Sequence, residues 1–164
     1  ESNELFEPAT TVEHSPGPND RSRPLLLSMA LHEQIAVHLA RSLPNEGCGL
    51  LAGVADGDAA RAVHFFPGTN IDQSPVRYTM EPQEVIDALV RIRQEEWDLA
   101  AIVHSHPRSA PEPSRTDLRE AYYPDARLII VSFSGEVPEF GCWALTGDRE
   151  TRAFRRAPLL FEQR

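Results

Sequence analysis

The stretch that decides the fold is residues 99–117, LAAIVHSHPRSAPEPSRTD. Residues 99–104 form an apolar run with β-branched members, which predicts a buried strand. Side chains two positions apart on a strand point to the same face, so His104 and His106 can hold one ion between them. The proline that follows ends the strand, and a proline-rich loop can bring Asp117 back to the same place. Two imidazoles and one carboxylate are ligands that a catalytic Zn²⁺ takes when its fourth position stays open for water.

Short extended runs and helical patterns alternate over the rest of the chain. Helical patterns predict one helix over 29–43, a second that begins at Glu81 and a third that begins near Ser114. Apolar or alternating runs predict strands at 25–27, 49–54, 62–66, 78–80, 99–104, 127–133, 140–145 and 151–155. Strands and helices mixed in this order predict an α/β fold in which helices lie on both sides of a mixed β-sheet.

The 164 residues are enough for one domain with a substantial core. Residues 1–24 contain four prolines among polar side chains, so we expect a flexible N-terminal tail there and one domain over 25–164. The net charge of −9 argues against a nucleic-acid partner, which would normally face a basic surface. No run approaches the roughly 18 apolar residues of a membrane span, so we expect no membrane association.

The two cysteines, Cys48 and Cys142, lie far apart in the sequence and form no CxxC pair. A disulfide framework is not expected from such spacing, and two free thiols are typical of a reducing compartment. No signal-peptide pattern is present in the sequence given. We therefore expect a cytoplasmic protein.

Each part of the 99–117 stretch has a simpler explanation when it is taken alone. Two histidines on a strand can be packed core residues. Ser114 and Asp117 also match the [ST]-x-x-[DE] capping box, which by itself predicts only the start of a helix. A carboxylate that folds back to cap a helix is less free to bind a metal. Glu46, a lone acid before the run GCGLLAG, gains meaning only beside the other residues.

Other histidines and motifs do not compete with this stretch. His32 and Glu33 begin like the HExxH zinc motif, but residue 36 is alanine. His14, His38 and His64 have no partners at ligand spacing, so structural or surface roles are expected. The GxSxG nucleophile elbow and the HxE…PCxxC signature of zinc deaminases are both absent from the sequence.

The complete pattern, HSHP-x6-S-x2-D with an upstream Glu before CGLL, resembles the JAMM/MPN+ metalloproteases over residues 25–156. The resemblance implies a cytidine-deaminase-like (JAB/MPN) α/β fold. It also implies a zinc site in which His104, His106 and Asp117 are the ligands, Glu46 is the general acid/base and Ser114 stabilises the oxyanion.

General chemistry supports these roles. Bound Zn²⁺ lowers the pKa of water to about 7, so hydroxide is available at neutral pH. A carboxylate such as Glu46 can take the proton from that water and pass it to the leaving amine. A hydroxyl such as that of Ser114 can donate a hydrogen bond to the developing oxyanion. The expected reaction is amide hydrolysis without a covalent intermediate.

Within the family, the chain resembles the compact prokaryotic type, including the Mec-type sulfur-carrier-protein peptidases. This implies cleavage after the C-terminal Gly-Gly of a ubiquitin-like or sulfur-carrier β-grasp protein, for example to release cysteine or a C-terminal extension. Such an extended tail can add to a sheet edge, and an exposed edge equally permits a homodimer. Three alternatives stay open: an isopeptidase that removes modifiers from lysine (desampylase- or deubiquitinase-like), a non-catalytic MPN scaffold, and a RadC-like role near DNA, against which the acidic charge argues.

Overall fold

The structure, a computed structural model, describes residues 20–163. Its helices are α1 (Met29–Ala40), α2 (Pro82–Gln94) and α3 (Arg115–Arg119). Its strands are β1 (Leu25–Ser28), β2 (Cys48–Asp56), β3 (Ala59–Gly68), β4 (Asp98–His106), β5 (Arg127–Ser132), β6 (Glu139–Thr146), β7 (Ala153–Arg156) and β8 (Leu159–Glu162). The expected α/β class is confirmed.

The strands form one mixed sheet with the order β7-β6-β5-β4-β2-β3-β1-β8. β1 runs parallel to β3 and β8, and β4 runs parallel to β5, whereas the other neighbours are antiparallel. The two outermost strands, β7 and β8, are separated by only Ala157 and Pro158. Ala157 N–H donates to Cys142 in β6, and Pro158 accepts from Leu25 N–H in β1. The sheet is therefore strongly curled, since two residues join its opposite edges.

Helices cover both faces of the sheet, as predicted. On one face, Ile35 and Leu39 of α1 belong to a buried cluster with Leu51 of β2. On the other face, Ala88 of α2 packs in a second cluster with Leu50. Neighbouring residues of β2 thus face opposite layers, as the pleat of a strand requires. His104, two residues after Ile102 of the α2-side cluster, lies on the α2 face.

Several predicted boundaries were wrong. The first helix ends at Ala40 instead of residue 43, because the N–H groups of Ser42 and Leu43 turn back to carbonyls three residues earlier. Residues 78–80 are not a strand, since their only ladder contact is an isolated bridge between Asn70 and Met80. The last predicted strand begins at Ala153, two residues late, and β8 was missed altogether.

Most of the expected N-terminal tail, residues 1–19, lies outside the described residues. Residues 20–23 lie against the sheet, because buried Arg127 donates from Nη2 to the carbonyls of Asp20 (3.2 Å) and Arg23 (3.0 Å). Among residues 20–163, none of the helices has the length and apolar character that a bilayer-crossing helix needs.

Candidate metal centre and active site

The two histidines of the motif lie at the end of β4, as the sequence predicts. His104 pairs with Cys48 of β2 and with Ile130 of β5, so it sits in the middle of the sheet. The relative exposure of His104 is 0% and that of His106 is 5%. Their Nε2 atoms lie 3.2 Å apart. The alternation of β4 therefore aims both imidazoles at one point.

Asp117 lies at the same point, carried there by α3. Its Oδ1 is 3.1 Å from His104 Nε2, and its Oδ2 is 3.3 Å from His106 Nε2. Donor atoms bound about 2.0–2.1 Å from a tetrahedral ion lie about 3.3 Å apart. The three contacts within the His–His–Asp trio, 3.1–3.3 Å, match this spacing.

The protonation pattern of the histidines also fits a cation. His106 Nδ1 lies 2.9 Å from the carbonyl oxygen of Ala110, and only a protonated nitrogen can donate to that oxygen. When the ring is neutral, as metal binding requires, its lone pair is on Nε2, the atom that faces His104. His104 Nδ1 is buried without a hydrogen-bond partner among the described residues. Two imidazole nitrogens 3.2 Å apart repel each other unless a proton or a cation lies between them.

Glu46 completes the cluster from the segment that precedes β2. It precedes β2 by two residues, and Gly47 holds this segment to β4 through two hydrogen bonds with Ser105, of 2.8 and 3.0 Å. Glu46 is 4% exposed, and its Oε1 lies 3.8 Å from His106 Nε2. Ligand-type atoms of Glu46, His104 and His106 all lie within 4.8 Å of one another.

The two carboxylates have opposite electrostatic characters. Burial raises the pKa of Glu46 to about 7, although the nearby His106 opposes the shift. Burial also favours a higher pKa for Asp117, but the imidazoles of His104 and His106, which donate to this carboxylate when they are protonated, outweigh it and hold the pKa well below its usual range. A carboxylate that stays ionised is suited to ligate a metal, whereas one that titrates near neutrality is suited to transfer a proton. The shorter histidine contacts of Asp117 favour the same division.

Ser114 contacts the cluster through Asp117. It is the N-cap of α3: its Oγ accepts from Asp117 N–H at 3.0 Å, and its N–H donates to Asp117 Oδ2 at 2.8 Å. The capping box is therefore confirmed. Ser114 is exposed, and its backbone N–H is what bonds the Asp117 carboxylate that faces the histidines.

Sequence reasoning missed Tyr78. Its ring stacks on His104 with centroids 4.8 Å apart and planes 25° from parallel. Burial, with the nearby Asp117 charge, raises the pKa of Tyr78, so its phenol stays protonated. The residue lies in an irregular loop over 69–80, which has no periodic pattern that would mark it.

His38, in contrast, has the structural role expected of it, since its Nε2 lies 3.0 Å from the Cys48 carbonyl and 3.1 Å from that of Gly68.

A cavity of about 330 Å³ opens beside these residues. Glu46, His104 and Asp117 lie on one side of it. Arg77 and Glu120, joined by a 2.9 Å ion pair, are more exposed members of its lining. The remaining wall is largely apolar and includes Leu50, Met80, Val85, Ile102, Leu128 and Phe154. This cavity provides room for part of a substrate next to the cluster.

Comparisons with known proteins agree with this geometry. A desampylase of Haloferax volcanii is 37% identical over 95 residues, which are 57% of this chain and 67% of that protein. A CysO-cysteine peptidase of Mycobacterium tuberculosis is 32% identical over 108 residues, or 66% of this chain and 73% of that protein. A probable TtuB-protein conjugate cleaving protease of Thermus thermophilus is 35% identical over 98 residues, which are 59% of this chain and 63% of that protein.

Solved structures and a family profile extend the match to most of the chain. The solution structure of a Desulfitobacterium hafniense protein superposes with a TM-score of 0.75 at 29% identity, over 85% of this chain and 94% of that one. The family described as prokaryotic homologs of the JAB domain matches residues 28–155, which confirms the resemblance read from the motif. The chain belongs to this family of prokaryotic JAB-domain proteins.

Proposed function

We propose that this chain is a zinc metallopeptidase that hydrolyses the amide bond after the C-terminal Gly-Gly of a ubiquitin-like or sulfur-carrier β-grasp protein. The observation that carries the proposal is the His104–His106–Asp117 trio at 3.1–3.3 Å, with the carboxylate of Glu46 beside it. Residues 25–164 are the catalytic domain in this proposal.

His104, His106 and Asp117 would hold the zinc, with Glu46 and the cavity beside them. When bound, the metal supplies Lewis-acid chemistry that polarises the scissile carbonyl and acidifies water. The Glu46 carboxylate receives the proton of the attacking water and returns it to the nitrogen of the leaving amine. The Ser114 hydroxyl, whose Oγ already accepts from Asp117 N–H, keeps its own proton to donate to the oxyanion. The apolar cavity wall excludes water from one side of the reaction.

The substrate class rests on the relatives. One relative is named a CysO-cysteine peptidase, and another a probable TtuB-protein conjugate cleaving protease. We extend from these names to a small carrier protein with a flexible tail, since an extended Gly-Gly segment suits a narrow groove beside a metal. Release of cysteine or of a short C-terminal extension is the reaction we favour.

A second candidate is an isopeptidase that removes a modifier from lysine. The 37% identity to the Haloferax desampylase favours it. Both reactions use the same residues at the trio and differ only in the leaving amine. A homodimer and a cytoplasmic location stay predictions from the sequence.

Incubation of the purified protein with candidate carriers tests the proposal. The substrates are Gly-Gly carriers extended by cysteine, by a short peptide, or by lysine linked through its ε-amine, each with and without a zinc chelator. Intact-mass spectrometry should show loss of the extension, no loss with chelator, and little loss with Glu46→Gln. A protein that holds no zinc, or whose rate equals that of Glu46→Gln, would leave only the scaffold role.

A further inference from the structure

The carboxylate of Glu46 is buried beside the histidines, yet its residue lies outside the sheet ladder. Both of its backbone groups bond instead to the irregular loop over 69–80, referred to here as the site loop. Glu46 N–H donates to the carbonyl of Ser74 at 2.8 Å. The carbonyl of Glu46 accepts from the side-chain amide of Asn70 at 3.0 Å. The position of the proposed acid/base thus depends on a segment that carries no predicted site residue.

Asn70 uses both ends of its side-chain amide in the site loop. Its Nδ2 donates to Glu46 and also to the carbonyl of Arg77 at 3.1 Å. Its Oδ1 accepts from the N–H of Asp72 at 3.0 Å and from that of Thr79 at 3.1 Å. These four bonds satisfy the two donors and both lone pairs that an asparagine amide offers.

The same four bonds also hold the backbone on both sides of Tyr78, the other part of the site that the sequence did not predict. The Arg77 carbonyl and the Thr79 N–H belong to the two peptide groups that flank Tyr78, whose ring stacks on His104. One amide therefore joins the backbone that carries Glu46 to the backbone that carries Tyr78. No other side chain among the described residues makes hydrogen bonds to both segments.

We propose that Asn70 is a positioning residue that sets the place of Glu46 beside the histidine pair. The inference rests on the proposed role of Glu46 as acid/base. Asn70 touches neither the trio nor the reacting atoms, so its effect passes through the Glu46 backbone. The zinc ligands lie on β4 and α3, which the site loop does not carry, so Asn70 can affect metal binding only indirectly, through the Tyr78 ring on His104, and zinc affinity should change far less than kcat.

The purely structural alternative is an Asx turn, in which Asn70 Oδ1 caps the turn through Asp72 N–H. Asn70→Asp separates the two roles. The aspartate keeps both acceptor contacts of the turn, but it loses both donors and places a carboxylate against the carbonyls of Glu46 and Arg77. Asn70→Ser, which keeps one short donor, is a milder variant should the aspartate prevent folding. Asp72→Asn is the matched control, since the Asp72 side chain contacts Thr79 in the same loop and not Glu46.

The first measurement is structural and does not depend on activity. Crystal structures of zinc-loaded wild type, Asn70→Asp, Asn70→Ser and Asp72→Asn are compared for the separation between Glu46 and His106, which is 3.8 Å here. In both Asn70 variants we expect Glu46 to move away by about 1 Å while the trio keeps its spacing, because the donor that holds the Glu46 carbonyl is lost or weakened. A misplacement of about that size is costly in an active site. Glu46 in its original place in both Asn70 variants would overturn the inference, even if no carrier is ever cleaved.

The second measurement is kinetic. For Asn70→Asp we expect kcat to fall about 10²-fold with KM little changed and one zinc retained per chain, whereas Asp72→Asn stays within about twofold. In a Glu46→Gln background the Asn70 change should add little, since residues that act as a unit are not additive. If Asn70→Asp lowers kcat as much in the Glu46→Gln background as in wild type, or if zinc is lost in proportion to kcat, Asn70 does not act through Glu46. A wild type that cleaves nothing would instead refute the proposed function.

Discussion

Ser114 and Asp117 exchange two hydrogen bonds across the first turn of α3, and the same Asp117 carboxylate faces both motif histidines. The Oδ2 atom that accepts from Ser114 N–H also lies 3.3 Å from His106 Nε2. From the sequence, helix capping and metal binding compete as explanations of Asp117. In the folded chain the two are compatible, because the capped carboxylate faces both histidines.

Asp117→Asn and Asp117→Ala separate these two roles. Asparagine retains an oxygen that can accept from Ser114 N–H but loses the negative charge, while alanine loses both. We expect both variants to bind zinc far more weakly, by at least about 10²-fold, because a charged ligand is lost. Only alanine should lose a further ~1 kcal/mol of apoprotein stability from the missing cap. Zinc titration and urea unfolding measure the two effects, and full zinc occupancy in Asp117→Ala would reduce Asp117 to a helix cap.

Ser114→Ala should retain zinc and lose turnover. A hydroxyl that stabilises an oxyanion is worth about 10²–10³ in kcat, whereas loss of the cap alone costs about 1 kcal/mol of stability. Ser114→Thr keeps both the hydroxyl and the cap and is the control. Steady-state kinetics with metal analysis would decide the matter. An alanine variant as active as the threonine variant would remove Ser114 from the chemistry.

Four of the five site residues that the sequence predicted share one property: local pattern places them, whereas Glu46 was identified through the family resemblance. Alternation along β4 aims His104 and His106 together, and the Ser114–Asp117 spacing predicts the α3 cap. Asn70 and Tyr78 lie in a loop without periodicity, so only long-range contacts bring them to the site. β8 was missed for a related reason. It is four residues long, and its pairing with β1 depends on how far the whole sheet curls.

Glu46→Gln should abolish most turnover while zinc stays bound. Loss of a general acid/base costs about 10²–10⁴ in rate, and glutamine preserves the volume of the side chain. Metal analysis with single-turnover kinetics tests this, and Asp87→Asn, a change on the exposed side of α2, serves as the control. A rate within tenfold of wild type would assign the proton transfer elsewhere.

The same substitution has a pH-dependent effect on apoprotein stability. The pKa of Glu46 is about 7 in the folded chain against an ordinary 4.5, so the folded state binds more protons between these values. Stability from this group is therefore lost as pH rises through that window. Above pH 7 an ionised Glu46 costs about 3 kcal/mol, and Glu46→Gln should exceed wild type in stability at pH 8 by more than at pH 5. Urea unfolding of metal-free protein at the two pH values checks the sign, and a gap that shrinks with pH would contradict it.

Cys48 should be inert despite its place opposite His104. Its thiol is fully buried, and burial raises its pKa to about 12, so almost no thiolate exists at neutral pH. We expect no alkylation of the native protein by iodoacetamide and full zinc binding by Cys48→Ala, with a loss of stability of about 1 kcal/mol from the small cavity. Mass spectrometry after alkylation, with and without urea, measures the reactivity. Rapid modification that displaces zinc would instead make the thiol part of the metal site.

Tyr78 should act on the metal site through His104. The stacked rings constrain the His104 imidazole, whose Nδ1 has no hydrogen-bond partner of its own among the described residues. An aromatic pair contributes about 0.5–1.5 kcal/mol beyond its buried area, so Tyr78→Ala should weaken zinc binding about 3–10-fold. Tyr78→Phe keeps the ring and should bind zinc as wild type does. Competition with a chromophoric chelator gives both affinities. If the phenylalanine and alanine variants lose zinc equally, the phenol matters and the stacking does not.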